Sequence, residues 1–597
     1  MQQRSVPFLL ALLLPCLQLA AQVNDEPIIN YSELHHPQYD TQGMVAAQNE
    51  IASRVGAEIL AQGGNAVDAA VAVGFALAVT TPRAGNIGGG GFMLLHLAAS
   101  NETVAIDYRE MAPPRASRDM YLDEDGNVDN DKARFSHLSS GVPGTVAGLH
   151  LALTKYGTMP WKDVIEPAMR LARDGIIVSY DLAENLRARR DRLGRNEASR
   201  NAFYKPDGQP YAPGELFRQK DLARTLQEIA TNGPDAFYRG KIAALIVAEM
   251  ERGGGLIDAE ALAAYRPVER RAVRGSYRDF EIVAMPPPSS GGLHVIQMLN
   301  ILEHFPVARL GAGSADNIHL LAEVSRLAFA DRSKHLGDPD YYEVPQEWLI
   351  SKDYARQLAA TIDLQRARPS ADVAPGVAPA YESPDTTHFS VIDRDGNVVA
   401  NTYTLNFSYG NHVTVPGAGF LLNNEMDDFV SAPGIPNAFG MLGGEANEIQ
   451  PGKRPLSSMT PVIVFRDGVP VLATGSPGGS RIISAVLQML VNVIDHGMNI
   501  ADATDAPRIH HQWYPDQLQL EPGISPDTIA LLRAKGHTIG ENSWAVGSLQ
   551  SVARRGGMFY GASDPRRPAA AAVGAGAINC PLKVPPCKRS PAAQFAY

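Results

Sequence analysis

Two neighbouring segments in the second half of the chain alternate between apolar and polar residues. They cover residues 388–393 and 398–405, and a short polar stretch that contains Gly396 joins them. Alternation predicts β-strands, and a Gly-containing turn between two such runs predicts a hairpin. A three-residue loop over 394–396, with Gly396 in the left-handed conformation, fixes the register of the whole antiparallel pair. No other local feature constrains the fold as strongly.

The register matters because it decides which side chains meet across the hairpin. With the three-residue loop, Asp393 faces Asn397, and counting back makes Thr386 face Thr404, with Asn406 on the same side. Directly opposed side chains in antiparallel strands share a face and lie close together. A two-residue loop shifts the parity and turns Thr404 to the other face. From periodicity alone, an ordinary polar face on a half-buried sheet is the simpler explanation of these residues.

The sequence PDTTHFSV, residues 384–391, suggests a chemical role for the start of the first strand. A threonine hydroxyl needs a base to become a nucleophile, and no histidine lies at a triad spacing. Cleavage of the chain just before Thr386 creates that base, since a new α-amino group has a pKa of about 7.7–8.0. Thr386 then carries both nucleophile and base.

The remaining pattern predicts stacked sheets with helices on both sides. Region 150–375 is mostly helical in pattern, and the strand signals follow it. The glycine run 88–91 lacks the Gly-Lys-Ser/Thr ending of a phosphate-binding loop, so a tight turn into a strand is favoured. The predicted helices outside the region 150–375 cover residues 45–61, 66–79, 480–496 and 525–534, and the further strands cover 92–97, 461–466 and 469–474.

The N-terminal residues 1–21 have the layout of a secretory signal peptide. Arg4 precedes an apolar run over 8–14, and the small residues Ala20 and Ala21 follow. This run is too short to span a membrane, so we expect export to the periplasm or the medium and a mature chain without a membrane span. An uncleaved membrane anchor is the alternative. The formal net charge of -11 argues against a nucleic-acid partner.

Cysteine content and spacing predict neither a disulfide-dependent core nor a metal site. After removal of the signal, only Cys580 and Cys587 remain, and a bridge between them would join only a Pro-rich tail. No zinc-type spacing occurs, and the adjacent His510 and His511 point poorly at one ion, so we predict no metal. Residues 371–385 have the composition of an exposed linker. The tail 569–597 is expected to be poorly ordered.

Several motifs in consistent order resemble the γ-glutamyltranspeptidases, also called glutathione hydrolases. The sequence TTHFSVIDRDGNVVANTYTLN resembles the start of the family's small subunit. The other similar segments are GNIGGGGFM (85–93), IDYREMAPPRA (106–116), MPPPSSGG (285–292), LLNNEMDDF (421–429), GKRPLSSMTP (452–461), TGSPGGSRI (474–482), APRIHHQW (506–513) and YGASDPR (560–566). The resemblance covers nearly all of the mature chain.

This resemblance implies a fold and a maturation step. The fold is a four-layer αββα sandwich of the N-terminal-nucleophile hydrolase type, in the α/β (α+β) class. The precursor is implied to cut itself between Asp385 and Thr386, and the products 22–385 and 386–597 remain together as large and small subunits. Thr404 is implied to orient the Thr386 nucleophile.

The resemblance also implies how a γ-glutamyl donor is held. Its α-carboxylate would be bound by Arg109, whose planar fork suits two oxygens, with hydroxyl groups from Ser457 and Ser458. Backbone N–H groups at Gly478 and Gly479 would meet the charge that develops on the attacked carbonyl oxygen.

The α-ammonium of the donor would meet acidic and amide groups. Asp428 and Glu425 match the family's acidic partners, with Asn406 nearby, although many relatives have Gln where this chain has Glu425. Residues 433–444 resemble the lid loop over the glutamyl pocket. Phe439 stands where a lid tyrosine is common, so a hydroxyl contact is expected to be missing.

Together, these features predict a self-processing γ-glutamyltransferase and glutathione hydrolase that needs no cofactor. Thr386 would attack glutathione or a related γ-glutamyl compound, and water, an amino acid or a dipeptide would resolve the ester. A glutaryl-type β-lactam acylase with the same nucleophile is the nearest alternative, but its substrate lacks the ammonium that Asp428 and Asn406 suit. A non-catalytic binding protein with this fold is the alternative from another class.

Overall fold

The computed structural model describes residues 33–373, 386–431, 444–541 and 545–579. Several predictions fall outside these ranges. They concern the signal segment 1–21, Asp385, most of linker 371–385 and of lid 433–444 with Phe439, and the pair Cys580 and Cys587.

Two antiparallel seven-stranded sheets form the centre of the molecule. The first sheet contains, in order across it, Gln38–Asp40, Met558–Ser563, Gln550–Arg555, Val469–Thr474, Val462–Arg466, Phe280–Ala284 and Val273–Tyr277. The second sheet contains, in order, Ala571–Gly574, Gly43–Ala47, Thr387–Asp393, Val398–Thr404, Gly90–Leu97, Glu102–Tyr108 and Val268–Arg271. Two small two-stranded sheets pair Ile509–His510 with Gln519–Leu520 and Ile176–Ile177 with Leu216–Phe217.

The two large sheets pack face to face, and helices cover their outer faces. The helices Glu50–Ala61, Ala66–Thr80 and Thr145–Tyr156 pack on the second sheet, and Gly291–Leu302 and Ile500–Asp505 pack on the first. The predicted four-layer αββα arrangement is confirmed. The other α-helices are Asn130–Phe135, Trp161–Asp174, Tyr180–Ala188, Arg190–Leu193, Glu197–Phe203, Lys220–Asn232, Asp235–Tyr238, Lys241–Gly253, Ala259–Ala264, Val307–Leu310, Ala315–His335, Gln346–Leu349, Lys352–Ala359, Arg481–Ile494, Pro526–Ala534 and Ala575–Asn579, and short 3-10 turns cover His137–Ser139, Ser370–Asp372, Glu425–Asp428 and Glu445–Asn447.

Alternate residues of the central strands face the helices and the other sheet. In Thr387–Asp393, Phe389 and Val391 belong to the apolar cluster under the helices. Ser390 points the other way and donates a hydrogen bond to the carbonyl of Gln550 in the first sheet at 3.0 Å. Every residue of this strand is buried, so the sheet is covered on both sides, not half-buried as periodicity alone suggested. By the same parity, Thr386 faces the space between the sheets.

The hairpin has the predicted register. Thr387 pairs with Tyr403 and Ile392 with Val398, which makes Thr386 the neighbour of Thr404. The N–H of Asp393 donates to the carbonyl of Asn397 at 3.1 Å, and Gly396 has a φ of 91°. A left-handed residue costs glycine little, so the turn chemistry selects the three-residue loop and with it the face of Thr404.

Strands from both sides of position 385 interleave in each large sheet. In the second sheet, Thr387–Asp393 pairs with Gly43–Ala47, and Val398–Thr404 pairs with Gly90–Leu97. In the first sheet, Val462–Arg466 pairs with Phe280–Ala284. The segments before and after position 385 therefore share one core.

Two predictions of local structure are wrong in part. The helix predicted over 45–61 begins at Glu50, because Asn49 caps its N-terminus, and Gly43–Ala47 is a strand buried between two partners. The tail 569–597 is ordered over its first part: Ala571–Gly574 pairs with Gly43–Ala47, and Ala575–Asn579 is helical. Pairing with a buried strand offsets the low sequence complexity of this segment.

No helix in the described part of the chain combines the length and the apolar character needed to cross a membrane.

Candidate active site

One small cavity collects almost all the side chains that the sequence singled out. It lies at the end of the central hairpin, where the strand Val398–Thr404 ends. The lining residues are Arg109, Thr386, Thr404, Asn406, Glu425, Asp428, Ser457, Ser458, Met459, Gly479 and Ile482. Of the ten predicted catalytic and binding residues, only Gly478 does not line it, and Gly478 precedes a lining residue. Asp385, the other side of the predicted cleavage, lies outside the described residues.

The hydroxyl groups of Thr386 and Thr404 face each other inside this cavity. Oγ1 of Thr404 donates to Oγ1 of Thr386 at 3.5 Å and accepts a hydrogen bond from the N–H of Asn406 at 2.9 Å. A hydroxyl that accepts from a backbone N–H directs its own hydrogen elsewhere, here toward Thr386. Asn406 has a φ of 71°, a left-handed conformation that Asn tolerates better than most residues. This turn bends the chain out of the strand and holds Thr404 in place.

Arg109 is fully buried and is surrounded by acidic side chains. Its two terminal nitrogens pair with Oε1 of Glu425 and, at 2.5 Å, with Oδ2 of Asp428. Its Nε donates to the carbonyl of Pro455 at 3.2 Å. Oε2 of Glu110 lies 3.7 Å from the nitrogen that contacts Glu425. The family resemblance implied that Arg109 binds a substrate carboxylate and that Glu425 and Asp428 bind an ammonium, whereas in the structure these groups bind one another.

Three carboxyl groups near Arg109 have buried oxygens with no hydrogen-bond partner among the described residues. These oxygens are Oε2 of Glu425, Oδ1 of Asp428 and both carboxyl oxygens of Glu110. Burial raises the pKa of the Asp428 carboxyl, and it raises that of Glu425 well above its ordinary value, although Arg109 opposes both shifts. Burial likewise raises the pKa of Glu110 to about 7. An unsatisfied acceptor in a dry pocket costs free energy until a donor reaches it, and an ammonium group is such a donor.

Ser457 and Ser458 reach the cavity from an extended segment that other loops hold in place. The N–H of Ser457 donates to the carbonyl of Pro288 at 2.9 Å, and the N–H and hydroxyl of Ser290 both donate to the carbonyl of Ser457. Oγ of Ser458 accepts a hydrogen bond from Arg332 at 3.2 Å. The segment MPPPSSGG therefore acts as a brace for the serine pair.

Gly478 and Gly479 lie at the start of helix Arg481–Ile494. Their φ angles are 133° and 57°, so both positions disfavour a side chain. Their carbonyls accept from Arg481 and Ile482, and within the described part of the chain neither N–H donates a hydrogen bond. Two unsatisfied N–H groups at a helix N-terminus suit a developing negative charge.

Among the described residues, one group has the donor set of a metal site. Ligand atoms of His319, Glu323 and His537 lie within 4.8 Å of one another, and all three residues are buried. Nδ1 of His319 already contacts Nε2 of His537 at 2.7 Å, and Glu323 pairs with Arg326. The three side chains are thus linked by hydrogen bonds to one another and to Arg326.

The histidine pair 510–511 shows the same pattern of separate partners. Nδ1 of His510 contacts the Ser484 hydroxyl at 2.8 Å, and Nε2 of His511 contacts Oδ1 of Asp516 at 3.2 Å. A structural role for this pair therefore stays a prediction.

Sequence reasoning missed three residues around the cavity. Glu110 and Ser290 lie inside family-like segments, 106–116 and 285–292, but nothing in those segments suggested a role for them. Arg332 lies near the end of the helix Ala315–His335, whose composition carries no signal of a site. Only the tertiary contact between Arg332 and Ser458 reveals its position.

Comparisons with known proteins identify the family of this chain. A family profile described as Gamma-glutamyltranspeptidase matches residues 52–574. The chain is 53% identical to a glutathione hydrolase proenzyme of Escherichia coli strain K12, over 92% of this chain and 95% of the relative. It is 46% identical to a glutathione hydrolase proenzyme of Pseudomonas sp. strain A14, over 89% of this chain and 94% of the relative.

A solved structure shares the architecture over the same extent. The crystal structure of a cephalosporin acylase from Bacillus halodurans superposes with a TM-score of 0.80 at 27% identity, and the match covers 92% of this chain and 98% of that chain. Profile, identity and fold agree over nearly the whole sequence, and the chain belongs to the gamma-glutamyltranspeptidase family.

Proposed function

We propose that this protein hydrolyses glutathione and transfers its γ-glutamyl group, with Thr386 as the nucleophile. One observation carries the proposal. The hydroxyl groups of Thr386 and Thr404 lie 3.5 Å apart in a cavity that is also lined by a cluster of cationic and acidic side chains. A hydroxyl pair alone is common in sheets. Its combination with groups that match both charges of a γ-glutamyl donor is what favours this reaction.

The proposal begins with cleavage of the bond between Asp385 and Thr386. The hydroxyl of Thr386 attacks the Asp385 carbonyl, and the C–N bond breaks as an ester forms, which frees the α-amine of Thr386. Water then hydrolyses the ester, which frees the Thr386 hydroxyl and leaves a carboxylate on Asp385. The interleaved strands support association of the two products, since separating 22–385 from 386–597 would break both sheets. The relatives' description as proenzymes is consistent with such a step.

In the first half of the reaction, the freed α-amine takes the proton from the Thr386 hydroxyl as its oxygen attacks the γ-amide carbon. The negative charge on the carbonyl oxygen meets the N–H groups of Gly478 and Gly479. Loss of one such donor typically costs about 10²–10³ in rate. The protonated amine then gives its proton to the leaving nitrogen, and a γ-glutamyl ester remains on Thr386.

In the second half, the same amine activates the acceptor. Water gives free glutamate, and the amine of an amino acid or a dipeptide gives a new γ-glutamyl amide. No step requires a cofactor or a metal ion, because proton transfer and charge stabilisation come from Thr386 and backbone groups.

Recognition of the donor rests on its zwitterionic end. The α-ammonium would satisfy the buried oxygens of Asp428 and Glu425, with the side chain of Asn406 beside them. The α-carboxylate would lie against Arg109, Ser457 and Ser458. Ion pairs between Arg109 and its acidic neighbours keep the groups for the two charges side by side.

A glutaryl-type acylase is the second candidate, and the fold match to a cephalosporin acylase favours it. A glutaryl group has no ammonium, so it would leave the oxygen of Asp428 buried and unsatisfied. That cost argues for a γ-glutamyl donor.

The test combines a gel with an assay of two donors. Purified wild-type protein should run as two chains that become one in Thr386→Ala, and it should release p-nitroaniline much faster from γ-glutamyl-p-nitroanilide than from glutaryl-p-nitroanilide. Preference for the glutaryl donor would favour the acylase. A single wild-type chain without turnover would favour the non-catalytic alternative.

We propose an exported location on the basis of the N-terminal sequence alone. Edman sequencing of the larger chain from cultured cells should begin near residue 22 if the predicted signal is removed.

A further inference from the structure

Arg332 is a buried cation next to the proposed donor site. It is 4% exposed, and its helix, Ala315–His335, lies in the segment before position 385. Within the described part of the chain, no carboxylate lies within ion-pair distance of its guanidinium. Other deeply buried arginines differ, since Arg109, Arg326 and Arg508 each pair directly with an acidic side chain. Burial lowers the pKa of Arg332 to about 10, and the charge of Asp428 opposes this shift only in part.

The hydrogen bonds of Arg332 go to two hydroxyl groups. Its Nε donates to Oγ of Ser290 at 2.9 Å, and a terminal nitrogen donates to Oγ of Ser458 at 3.2 Å. Ser290 in turn donates to the carbonyl of Ser457 at 2.7 Å. Arg332 is thus linked to both members of the serine pair, directly to Ser458 and through Ser290 to Ser457.

The charges around the cavity indicate which kind of ligand group would pair with Arg332. The contacts of Arg109 are already made with Glu425, Asp428 and the carbonyl of Pro455. A substrate carboxylate that depends on Arg109 alone must share it with Glu425 and Asp428, and Glu110 lies 3.7 Å away. Arg332 brings a second positive charge, and none of the described carboxylates lies within ion-pair distance of it. A buried charge of this kind is costly unless a ligand supplies the opposite charge.

We propose that Arg332 is a positioning residue for the α-carboxylate of the donor. The guanidinium of Arg332 donates to the hydroxyl oxygen of Ser458, so the O–H bond of Ser458 points away from Arg332. The positive charge of Arg332 also favours an anion on the opposite side of Ser457 and Ser458. The donor must then carry a carboxylate on the carbon that bears the ammonium, which makes Arg332 a determinant of specificity for α-amino acid donors. This inference rests on the proposed function.

The experiment compares two donors that differ only in that carboxylate. They are γ-glutamyl-p-nitroanilide and 4-aminobutyryl-p-nitroanilide, each assayed with wild type, Arg332→Met and Arg332→Lys. For Arg332→Met, we expect the ratio of kcat/KM for the first donor over the second to fall about 10- to 100-fold, mostly through KM. Arg332→Lys, which keeps the charge, should recover most of that ratio.

Lys334→Met is the matched control, because it removes an exposed cation from the same helix two residues away. It should leave both donors at wild-type rates. If Arg332→Met does not mature into two chains, Ser290→Ala takes its place, since it removes one hydroxyl and keeps Arg332. That variant should lower the same ratio several-fold.

Equal losses with both donors would overturn the proposal and leave Arg332 a purely structural role, and so would an unchanged ratio. Failure of the proposed function would give a different result from failure of this inference, because wild-type protein would then not turn over γ-glutamyl-p-nitroanilide at all.

Discussion

Replacement of Asp428 by Asn should change which donors the protein accepts. Oδ2 of Asp428 pairs with Arg109 at 2.5 Å, while Oδ1 is buried and has no partner among the described residues. Asn has nearly the same shape, but it lacks the charge and offers one acceptor oxygen where Asp offers two. A hydrogen bond to a charged group contributes about 1.5–3 kcal/mol, which corresponds to about 10- to 150-fold in kcat/KM.

The assay separates the ammonium contact from damage to Arg109. Turnover of γ-glutamyl-p-nitroanilide depends on both, whereas glutaryl-p-nitroanilide has no ammonium and reports only on the carboxylate side. The ratio of kcat/KM for the two donors should therefore fall about 10- to 150-fold in Asp428→Asn. Two-chain maturation and an unchanged melting temperature would exclude a folding defect. An equal loss with both donors would refute the role of Asp428 as the ammonium partner.

Three further outcomes follow from the same contacts. Thr404→Val removes the hydroxyl that contacts Thr386 and should lower kcat about 5- to 150-fold with little change in KM, whereas Thr404→Ser should stay within about threefold of wild type; equal loss in both variants would contradict an orienting hydroxyl. Burial raises the pKa of Glu110 from its ordinary value of 4.5 to about 7, so between these values the folded state binds a proton that the unfolded state does not. Stability from this group is therefore present below about pH 4.5 and is lost as the pH rises to about 7, and thermal melts should show a smaller pH-dependent loss in Glu110→Gln than in wild type. Truncation after Ala570 removes the strand Ala571–Gly574 and should lower the melting temperature by several degrees, and an unchanged melting temperature would show that this pairing adds nothing.

The parts of the fold that the sequence predicts well are those where local chemistry leaves one solution. Gly396 takes a positive φ, so it selects the three-residue loop, and the loop fixes which residue faces Thr386. The helix Ala66–Thr80 follows the same rule, because Asn65 and Asp68 form a capping box at its start. These features depend on neighbours within a few positions.

Other features depend on partners that are distant in sequence. Gly43–Ala47 is as apolar as a buried helix and becomes a strand only because Thr387–Asp393 and Ala571–Gly574 pair with it. Similarly, no local pattern around Arg332 indicates that it reaches Ser458 across 126 positions. The direct pairing of Arg109 with Glu425 and Asp428 also emerges only from the fold, since the family resemblance assigned Arg109 to the α-carboxylate of a substrate and the two acidic residues to its α-ammonium.

The mature N-terminus of the catalytic chain tests the central claim most directly. Active protein should be quenched in acid during turnover of γ-glutamyl-p-nitroanilide and digested, and the peptides then examined by mass spectrometry. The proposed mechanism predicts a chain that begins at Thr386 and carries the γ-glutamyl group on that residue. Full activity in protein whose bond between Asp385 and Thr386 is intact, or a γ-glutamyl group on any other residue, would contradict it.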